Sequence, residues 1–142
     1  MTGPSSGTRS IVIERELPFP PEKVWRALTQ PHLVEEWLMK DSFRPIDGFQ
    51  PVESHRFSLG TGWGPVHCQV QAVEPLRTIS YSWNTRDLES VITWTLTRTA
   101  NGTLLRMEQA GFRAEQQAYY RGASVRWPQL LDALEQVLSR SD

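Results

Sequence analysis

The feature that most constrains this chain is an amphipathic segment near its C-terminus, residues 126–138. Its large apolar side chains recur at helical spacing and form one stripe: Trp127, Leu130, Leu131, Leu134, Val137 and Leu138. Most of the preceding chain instead has the period-two pattern of strands, several of which carry tryptophans. A strand-rich body must cover its apolar face, and this helix is the obvious cover. Function therefore depends on whether helix and sheet enclose a filled core or a cavity.

Length and charge exclude several classes of protein. The 142 residues suffice for one domain with a buried core that needs neither metal nor disulfide. A formal net charge of -1, with no basic run, argues against a nucleic-acid partner, and no apolar stretch is long enough to span a membrane. Because Cys68 is the only cysteine, the reducing cytoplasm is favoured over secretion. Residues 1–9 read as a disordered leader and residues 10–140 as a single domain.

The first part of this domain reads as a strand followed by two short helices. Residues 10–17 alternate with strand period, and Ile11, Ile13, Arg15 and Leu17 share one face. Prolines end this strand. Two short apolar helical faces follow, separated by a break at Gln30-Pro31; the first consists of Val24, Trp25 and Leu28, and the second of Leu33, Val34, Trp37 and Leu38.

From residue 43 the pattern returns to period two, with turn residues between the runs. The apolar faces of these predicted strands are His55/Phe57/Leu59, Val66/Cys68/Val70, Ile79/Tyr81/Trp83, Ile92/Trp94/Leu96 and Leu105/Met107/Gln109. Asn101-Gly102 is the strongest hairpin signal between them, and residues 60–64 read as a glycine-rich turn that could gate a pocket. Short connections predict an antiparallel meander.

The start of the last helix has two open readings. Residues 114–120 could form a separate helical turn that ends at Gly122, with Ser124 capping the final helix. Alternatively, one helix runs through from Ala114, and Pro128 must then kink it.

The order of these elements, together with particular residues, resembles the START-like helix-grip superfamily, also called SRPBCC. The nearest resemblance within it is to homologues of the activator of the 90-kDa heat-shock protein ATPase. The residues that carry the resemblance are 14–15, 20–29, 31–33, Trp37, Val70, Val73, Pro75, Ile79, Trp83, 91–94, 102–105, Gly111, Phe112, Trp127, Leu130, Leu131, Leu134 and Leu138. Three positions depart from the family pattern: Ser54-His55 replaces a frequent Gly-Gly pair, Gln109 a histidine, and Arg126 a glycine.

The resemblance implies an α+β helix-grip fold. A curved antiparallel sheet of about six or seven strands, in the order β-α-α-β6-α, would wrap around a long C-terminal helix and leave an apolar cavity between them. Members of the superfamily bind hydrophobic small molecules, act as cyclases or resistance proteins, or assist a chaperone, and the fold alone does not choose among these.

Aromatic side chains dominate the candidate ligand-binding residues, because flat aromatic walls stack on apolar or aromatic ligands. The candidates are Trp37, His55, Phe57, Tyr81, Trp83, Trp94, Met107, Gln109, Phe112, Trp127 and Leu131. The same side chains would serve equally well as a packed core. Arg15 is a candidate polar anchor for an anionic group, although an outward-pointing or structurally paired arginine is the simpler reading.

Non-catalytic binding of a small hydrophobic molecule is the function that these residues favour. No catalytic constellation, metal site or cofactor site is visible, and Cys68 reads as a small core residue. A cyclase or dehydratase remains an alternative, for which Arg15, His55, Tyr81 and Gln109 are the only polar candidates. Two partnerships also stay open: a stress-response chaperone, which the resemblance suggests, and a homodimer through an exposed sheet edge.

Overall fold

A computed structural model describes residues 8–38, 44–45, 52–61 and 64–140. The elements are β1 (Thr8–Leu17), α1 (Pro21–Thr29), α2 (Pro31–Trp37), β2 (Arg44–Pro45), β3 (Arg56–Thr61), β4 (Gly64–Glu74), β5 (Thr78–Asn84), β6 (Glu89–Arg98), β7 (Thr103–Arg113) and α3 (Gln117–Arg140). β1 begins at Thr8, two residues before the predicted domain start; the rest of the predicted leader, residues 1–7, lies outside the described residues, as does part of the predicted glycine-rich turn, residues 62–63.

All seven strands belong to one antiparallel sheet in the order β1-β7-β6-β5-β4-β3-β2. The meander from β2 to β7 is therefore sequential, and β1 joins it at the far edge beside β7. The predicted β-α-α-β6-α order and the helix-grip fold are confirmed. Within the described residues, no helix combines the length and apolar character needed to cross a bilayer.

The core lies between the inner face of the curved sheet and α3. The whole predicted stripe of α3 is buried, from Trp127 to Leu138. β5 and β6 alternate strictly between buried and partly exposed residues along most of their length, as expected for a sheet with one covered face. α1 and α2 each begin with a proline at the first helical turn, where the missing N–H group leaves no internal hydrogen bond unmade.

α3 is one continuous helix over 24 residues, so the reading with a separate turn that ends at Gly122 is wrong. Gly122 is exposed, and a methyl group added there would meet no atom within 4 Å. A glycine inside a helix costs only about 1 kcal/mol relative to alanine, and packing on both sides of it outweighs that cost. Phe112 packs against Tyr120 before Gly122, and the apolar stripe begins at Trp127 after it.

Two β-bulges change which face of a strand points inward. In β7, Gly111 has φ +123° and lies where the pairing with β1 skips a residue. Leu105, Met107 and Gln109 are buried before this bulge, and Phe112 is buried after it, which an unbroken period of two would not allow. A second irregularity separates Val70 from Ala72 in β4. Bulges of this kind bend and twist a strand, and here they help the sheet to curve around α3.

The connection between β4 and β5 contains a strained residue. Arg77 N–H donates to Glu74 O at 2.9 Å, which closes a four-residue turn. Pro75 occupies the second position and Leu76 the third, with φ +69°. A positive φ at the third position is typical of a type II turn, where glycine or asparagine is preferred. A leucine in this region is uncommon and costs roughly 1–2 kcal/mol.

Replacing Leu76 with glycine is therefore expected to raise the free energy of unfolding by about 0.5–1 kcal/mol, since relief of strain exceeds the added flexibility of the unfolded chain. The leucine side chain is 39% exposed, so its loss removes little packing. The midpoint of urea unfolding measures the effect. Leu76→Ala is the matched control: it removes the same side chain but keeps the Cβ atom. Equal stabilisation by both variants would contradict the backbone explanation.

Candidate functional site

Four tryptophans form a connected cluster between the sheet and α3. The ring centroids of Trp94 and Trp127 lie 5.9 Å apart, with the rings nearly perpendicular at 77°. Trp37, at the end of α2, makes a similar edge contact with Trp94 at 5.7 Å, and Trp83 approaches Trp127 at 6.1 Å. Such tilted and T-shaped contacts are the favourable geometry for aromatic pairs. The structure thus brings together the predicted tryptophans from two helices and two strands.

A second aromatic branch extends this cluster along the sheet. The Trp94 indole Nε1–H donates to the Tyr81 hydroxyl at 2.9 Å, and Tyr81 packs edge-on against Phe57 at 5.6 Å. His55 stacks on Phe57 at a centroid distance of 6.4 Å and is half-buried. Both tyrosine and phenylalanine rings are buried. Burial raises the pKa of the Tyr81 hydroxyl above its ordinary value, so it stays neutral.

Ser54 and His55 occupy the two positions where the family pattern often has glycines, and Ser54 keeps a backbone conformation typical of glycine. Ser54 has φ +72°, the left-handed region that favours glycine. Its N–H still donates to Val70 O at 2.8 Å, and Val70 N–H donates to His55 O at 2.9 Å. The backbone conformation that glycine adopts easily is therefore present here with a serine, and the adjacent position carries an imidazole.

A chain of hydrogen bonds crosses the same interior. The Trp127 indole Nε1–H donates to Gln109 Oε1 at 2.7 Å, and Gln109 Nε2 donates to Ser90 Oγ at 3.0 Å. The Ser90 hydroxyl then donates to Trp83 O at 2.6 Å. Gln109 is only 2% exposed and Ser90 only 4%. Every member of the chain is satisfied, as a buried polar network must be if it is not to destabilise the fold.

Ser90 was not among the predicted site residues, although strand alternation indicates that its side chain points inward. It lies two residues before Ile92 and four before Trp94, so it shares their inward-facing parity. It is the polar member of that face, and the cross-strand register shows what it meets: Ile92 pairs with Gln109, which places Ser90 near the amide of Gln109.

The remaining candidates are buried but stand at different places around the cluster. Met107 pairs with Trp94 across β6 and β7 and is fully buried, and Leu131 is buried on α3. Phe112 lies beyond the Gly111 bulge and packs on Tyr120. The Arg9 guanidinium lies over the Tyr120 ring, 4.3 Å from its centroid.

Arg15 joins β1 to the outer side of α3. Its Nη1 contacts Asp132 Oδ1 and Glu135 Oε2, each at 2.7 Å, and its Nη2 donates to Pro128 O at 3.1 Å. The side chain is 23% exposed. The guanidinium is thus engaged by two carboxylates and a carbonyl of α3, which is the structurally paired alternative rather than an anchor placed among the tryptophans.

Cys68 and His67 are neighbours on β4, and the first side chain is buried whereas the second is exposed. Cys68 is buried, and burial raises the pKa of its thiol, which opposes formation of the reactive thiolate. His67 is exposed, with Nδ1 3.2 Å from Ser58 Oγ. Among the described parts of the chain, no three His, Cys, Asp or Glu side chains are grouped to share a metal ion.

Two surface pockets lie away from the aromatic cluster. One, of about 450 Å³, is lined by Asp132, Glu135, Gln136, Ser139 and Arg140 on α3. The other, of about 350 Å³, lies between the start of α1, the β4–β5 turn and the end of β6. Neither is lined by a predicted ligand-binding residue, and the aromatic rings contact one another directly. A molecule that enters between two touching rings of the cluster must therefore separate them.

Comparisons with solved structures agree with this architecture. Protein MLL2253 from Mesorhizobium loti is 52% identical; the match covers 94% of this chain and 99% of that one, with a TM-score of 0.85. Protein BH1534 from Bacillus halodurans is 26% identical, with coverage of 92% and 96% and a TM-score of 0.77. CalU16 from Micromonospora echinospora is 24% identical, with coverage of 99% and 82% and a TM-score of 0.74; it shares the fold.

A search of curated proteins found no match. The family model described as "Activator of Hsp90 ATPase homolog 1-like protein" matches residues 18–139, which include every described element from α1 to β7 and all of α3 except its last residue. The match runs through the aromatic cluster, its hydrogen-bonded chain and the whole buried stripe of α3. Since the family model covers most of the sequence, the chain belongs to the family of Activator of Hsp90 ATPase homolog 1-like proteins, with the START-like helix-grip fold.

Proposed function

We propose that this domain binds a small hydrophobic or aromatic molecule, without chemical conversion, between the sheet and α3. The observation that carries the proposal is the connected cluster of Trp37, Trp94, Trp127 and Trp83 at the place where sheet and helix meet. Aromatic rings offer a ligand large apolar faces at low cost in side-chain entropy. Membership of a helix-grip family supports the same location.

Binding between two rings of the cluster that touch requires those side chains to move apart. The tryptophan rings contact one another at centroid distances of 5.7–6.1 Å, so a ligand between two of them exchanges ring–ring contacts for ring–ligand contacts. This exchange keeps apolar area buried and is therefore not opposed by the hydrophobic effect.

The polar side chains favour binding over catalysis. Tyr81 and Gln109 already serve as hydrogen-bond partners of indole groups in the interior, and Arg15 is held by two carboxylates. A general acid or base needs access to the reacting group and a pKa near the working pH. Burial instead moves the pKa of Tyr81 upward, away from neutrality.

Titration with the neutral dye N-phenyl-1-naphthylamine tests the proposal. We expect saturable binding at one site, quenching of tryptophan fluorescence and an increase in melting temperature, because a ligand that binds only the folded state stabilises it by about 2.7 kcal/mol at 100 times its Kd. Trp127→Phe should weaken binding. Val125→Ala is the control, since Val125 is 63% exposed on the same helix and its loss should change nothing.

Absence of both quenching and stabilisation would remove the proposal's support. Loss of binding in Val125→Ala but not in Trp127→Phe would show that the dye binds on the surface of α3. That result would also contradict the proposal. The family description suggests an alternative, activation of a chaperone ATPase. An increase in ATP turnover by the 90-kDa chaperone on addition of this domain would support that alternative.

A further inference from the structure

The hydrogen bond between Trp127 and Gln109 is the central polar contact beside the tryptophan cluster. Its donor, the indole Nε1–H, lies 2.7 Å from its acceptor, the amide Oε1. Trp127 also touches Trp83 and Trp94 through its ring. A ligand that enters the cluster and packs on the Trp127 ring therefore arrives next to this donor–acceptor pair.

Any molecule that separates the pair must satisfy both of its members. The two groups are almost completely shielded from water, with Trp127 3% and Gln109 2% exposed, and a buried polar group left without a partner is costly. The other end of the Gln109 amide is held by Ser90, which in turn donates to Trp83 O. Gln109 is thus anchored on the sheet, and Trp127 is the member of the pair that moves with α3.

The helix turn next to Trp127 lacks one internal hydrogen bond, although Arg15 Nη2 of β1 donates to Pro128 O at 3.1 Å. Pro128 lacks an N–H group and cannot make the usual backbone hydrogen bond to the carbonyl four residues earlier. The backbone beside Trp127 is therefore held by one hydrogen bond fewer than an ordinary helix. Separation of Nε1 and Oε1 from 2.7 Å to roughly 4.5–5 Å would admit one oxygen atom between them with two normal hydrogen bonds.

Only a group that both accepts and donates can fill that position without loss. A hydroxyl oxygen accepts from the Trp127 indole while its hydrogen is donated to Gln109 Oε1. An ether or carbonyl satisfies the indole but leaves the Gln109 oxygen bare, and a hydrocarbon leaves both groups bare. We propose that the Trp127–Gln109 pair selects ligands with a hydroxyl group on a flat aromatic ring, and that this hydroxyl inserts between the two side chains.

This inference rests on the proposed function, and three neutral probes of nearly equal shape separate the two. They are 2-naphthol, 2-methoxynaphthalene and 2-methylnaphthalene, titrated into ¹⁵N-labelled protein while the indole N–H signals are followed. The Trp127 signal is identified by its absence in Trp127→Phe. We expect 2-naphthol to bind about 10-fold more tightly than the ether and more tightly still than the hydrocarbon, and to shift the Trp127 signal most.

Two variants locate the source of the preference. Gln109→Met keeps the length of the side chain and removes its acceptor oxygen, so the preference for 2-naphthol over the ether should fall to about twofold or less. Ser90→Ala keeps that oxygen and should retain the preference. If Gln109→Met does not fold, Gln109→Glu is used, since it keeps the acceptor and should also retain the preference.

The outcomes are distinct. Equal affinity of the unaltered protein for all three probes would overturn the hydroxyl selection while leaving the proposed binding intact. An unchanged preference in Gln109→Met, or loss of it in Gln109→Glu, would also overturn it. Failure of all three probes to bind would instead count against the proposed function.

Discussion

Replacing Trp94 with alanine is expected to lower the free energy of unfolding by about 3–5 kcal/mol, the usual cost of removing a large aromatic side chain from a core. Trp94 is 1% exposed and contacts Trp37 and Trp127 through its ring. Its removal leaves a void among rigid neighbours and takes away the donor to the Tyr81 hydroxyl. Urea unfolding followed by circular dichroism measures the loss.

Two further measurements separate a packed core from the wall of an open cavity. Trp94→Phe keeps an aromatic ring but loses the indole donor, so it should cost clearly less than the alanine variant. Added indole should bind in the void of Trp94→Ala and recover part of the stability, as small aromatic molecules do in engineered apolar cavities. A loss below about 1 kcal/mol in Trp94→Ala would show that this ring borders open space.

Gly102→Ala should be comparably damaging, by about 3 kcal/mol or more, for a backbone reason. A Cβ atom at this position would lie 2.1 Å from Leu17 O and 2.8 Å from Phe19 N. Both are main-chain atoms, the first at the end of β1 and the second two residues after it. Next to them Thr103 Oγ1 donates to Phe19 O at 2.7 Å. Relief of the clash requires the β6–β7 turn to move away from β1, which breaks this contact.

Gly122→Ala is the matched control for that prediction. Its added methyl group meets no atom within 4 Å and lies inside α3, so this variant should be stabilised by about 1 kcal/mol. The same chemical change is thus expected to have opposite signs at two glycines. Thermal and urea unfolding of the two variants side by side check this, and a neutral Gly102→Ala would contradict the close approach.

The architecture was predictable from the sequence because the helical period of α3 and the strand period of β5 and β6 are both uninterrupted along their buried faces. The stripe of α3 from Trp127 to Leu138 is buried as its spacing indicates, and β5 and β6 alternate as predicted. Asn101-Gly102 does join β6 to β7. The need for glycine there comes from the nearness of Leu17 and Phe19, a tertiary contact that a local turn signal does not contain.

The start of α3 and the bulges were not predictable from local patterns. Helices often end at a glycine, yet α3 continues through Gly122. Residues on both sides of Gly122 are packed, Tyr120 before it and the stripe that begins at Trp127 after it. The bulge at Gly111 reverses the parity of β7, and a single glycine in a strand pattern does not say whether a residue is inserted.

The aromatic part of the candidate site followed from strand parity, but its polar part did not. Parity places Trp83, Trp94 and Gln109 on inner faces, and the structure brings them to Trp127. The link from Gln109 through Ser90 to Trp83 O depends on the register of three strands, which one sequence does not fix. Arg15 shares the parity of buried residues, yet its length lets it reach the acids of α3.

The pairing of β1 with β7 also sets the order of events when the protein is made. Thr8 lies opposite Arg113, and Leu17 opposite Thr103, so β1 must wait for the synthesis of β7 before it has this neighbour. At a synthesis rate of about 5–20 residues per second this delay is roughly 5–20 s. During it, the alternating apolar side chains of β1 are exposed to solvent. β1 therefore joins its sheet only after β7 has been made, so closure of this edge is a late step of folding.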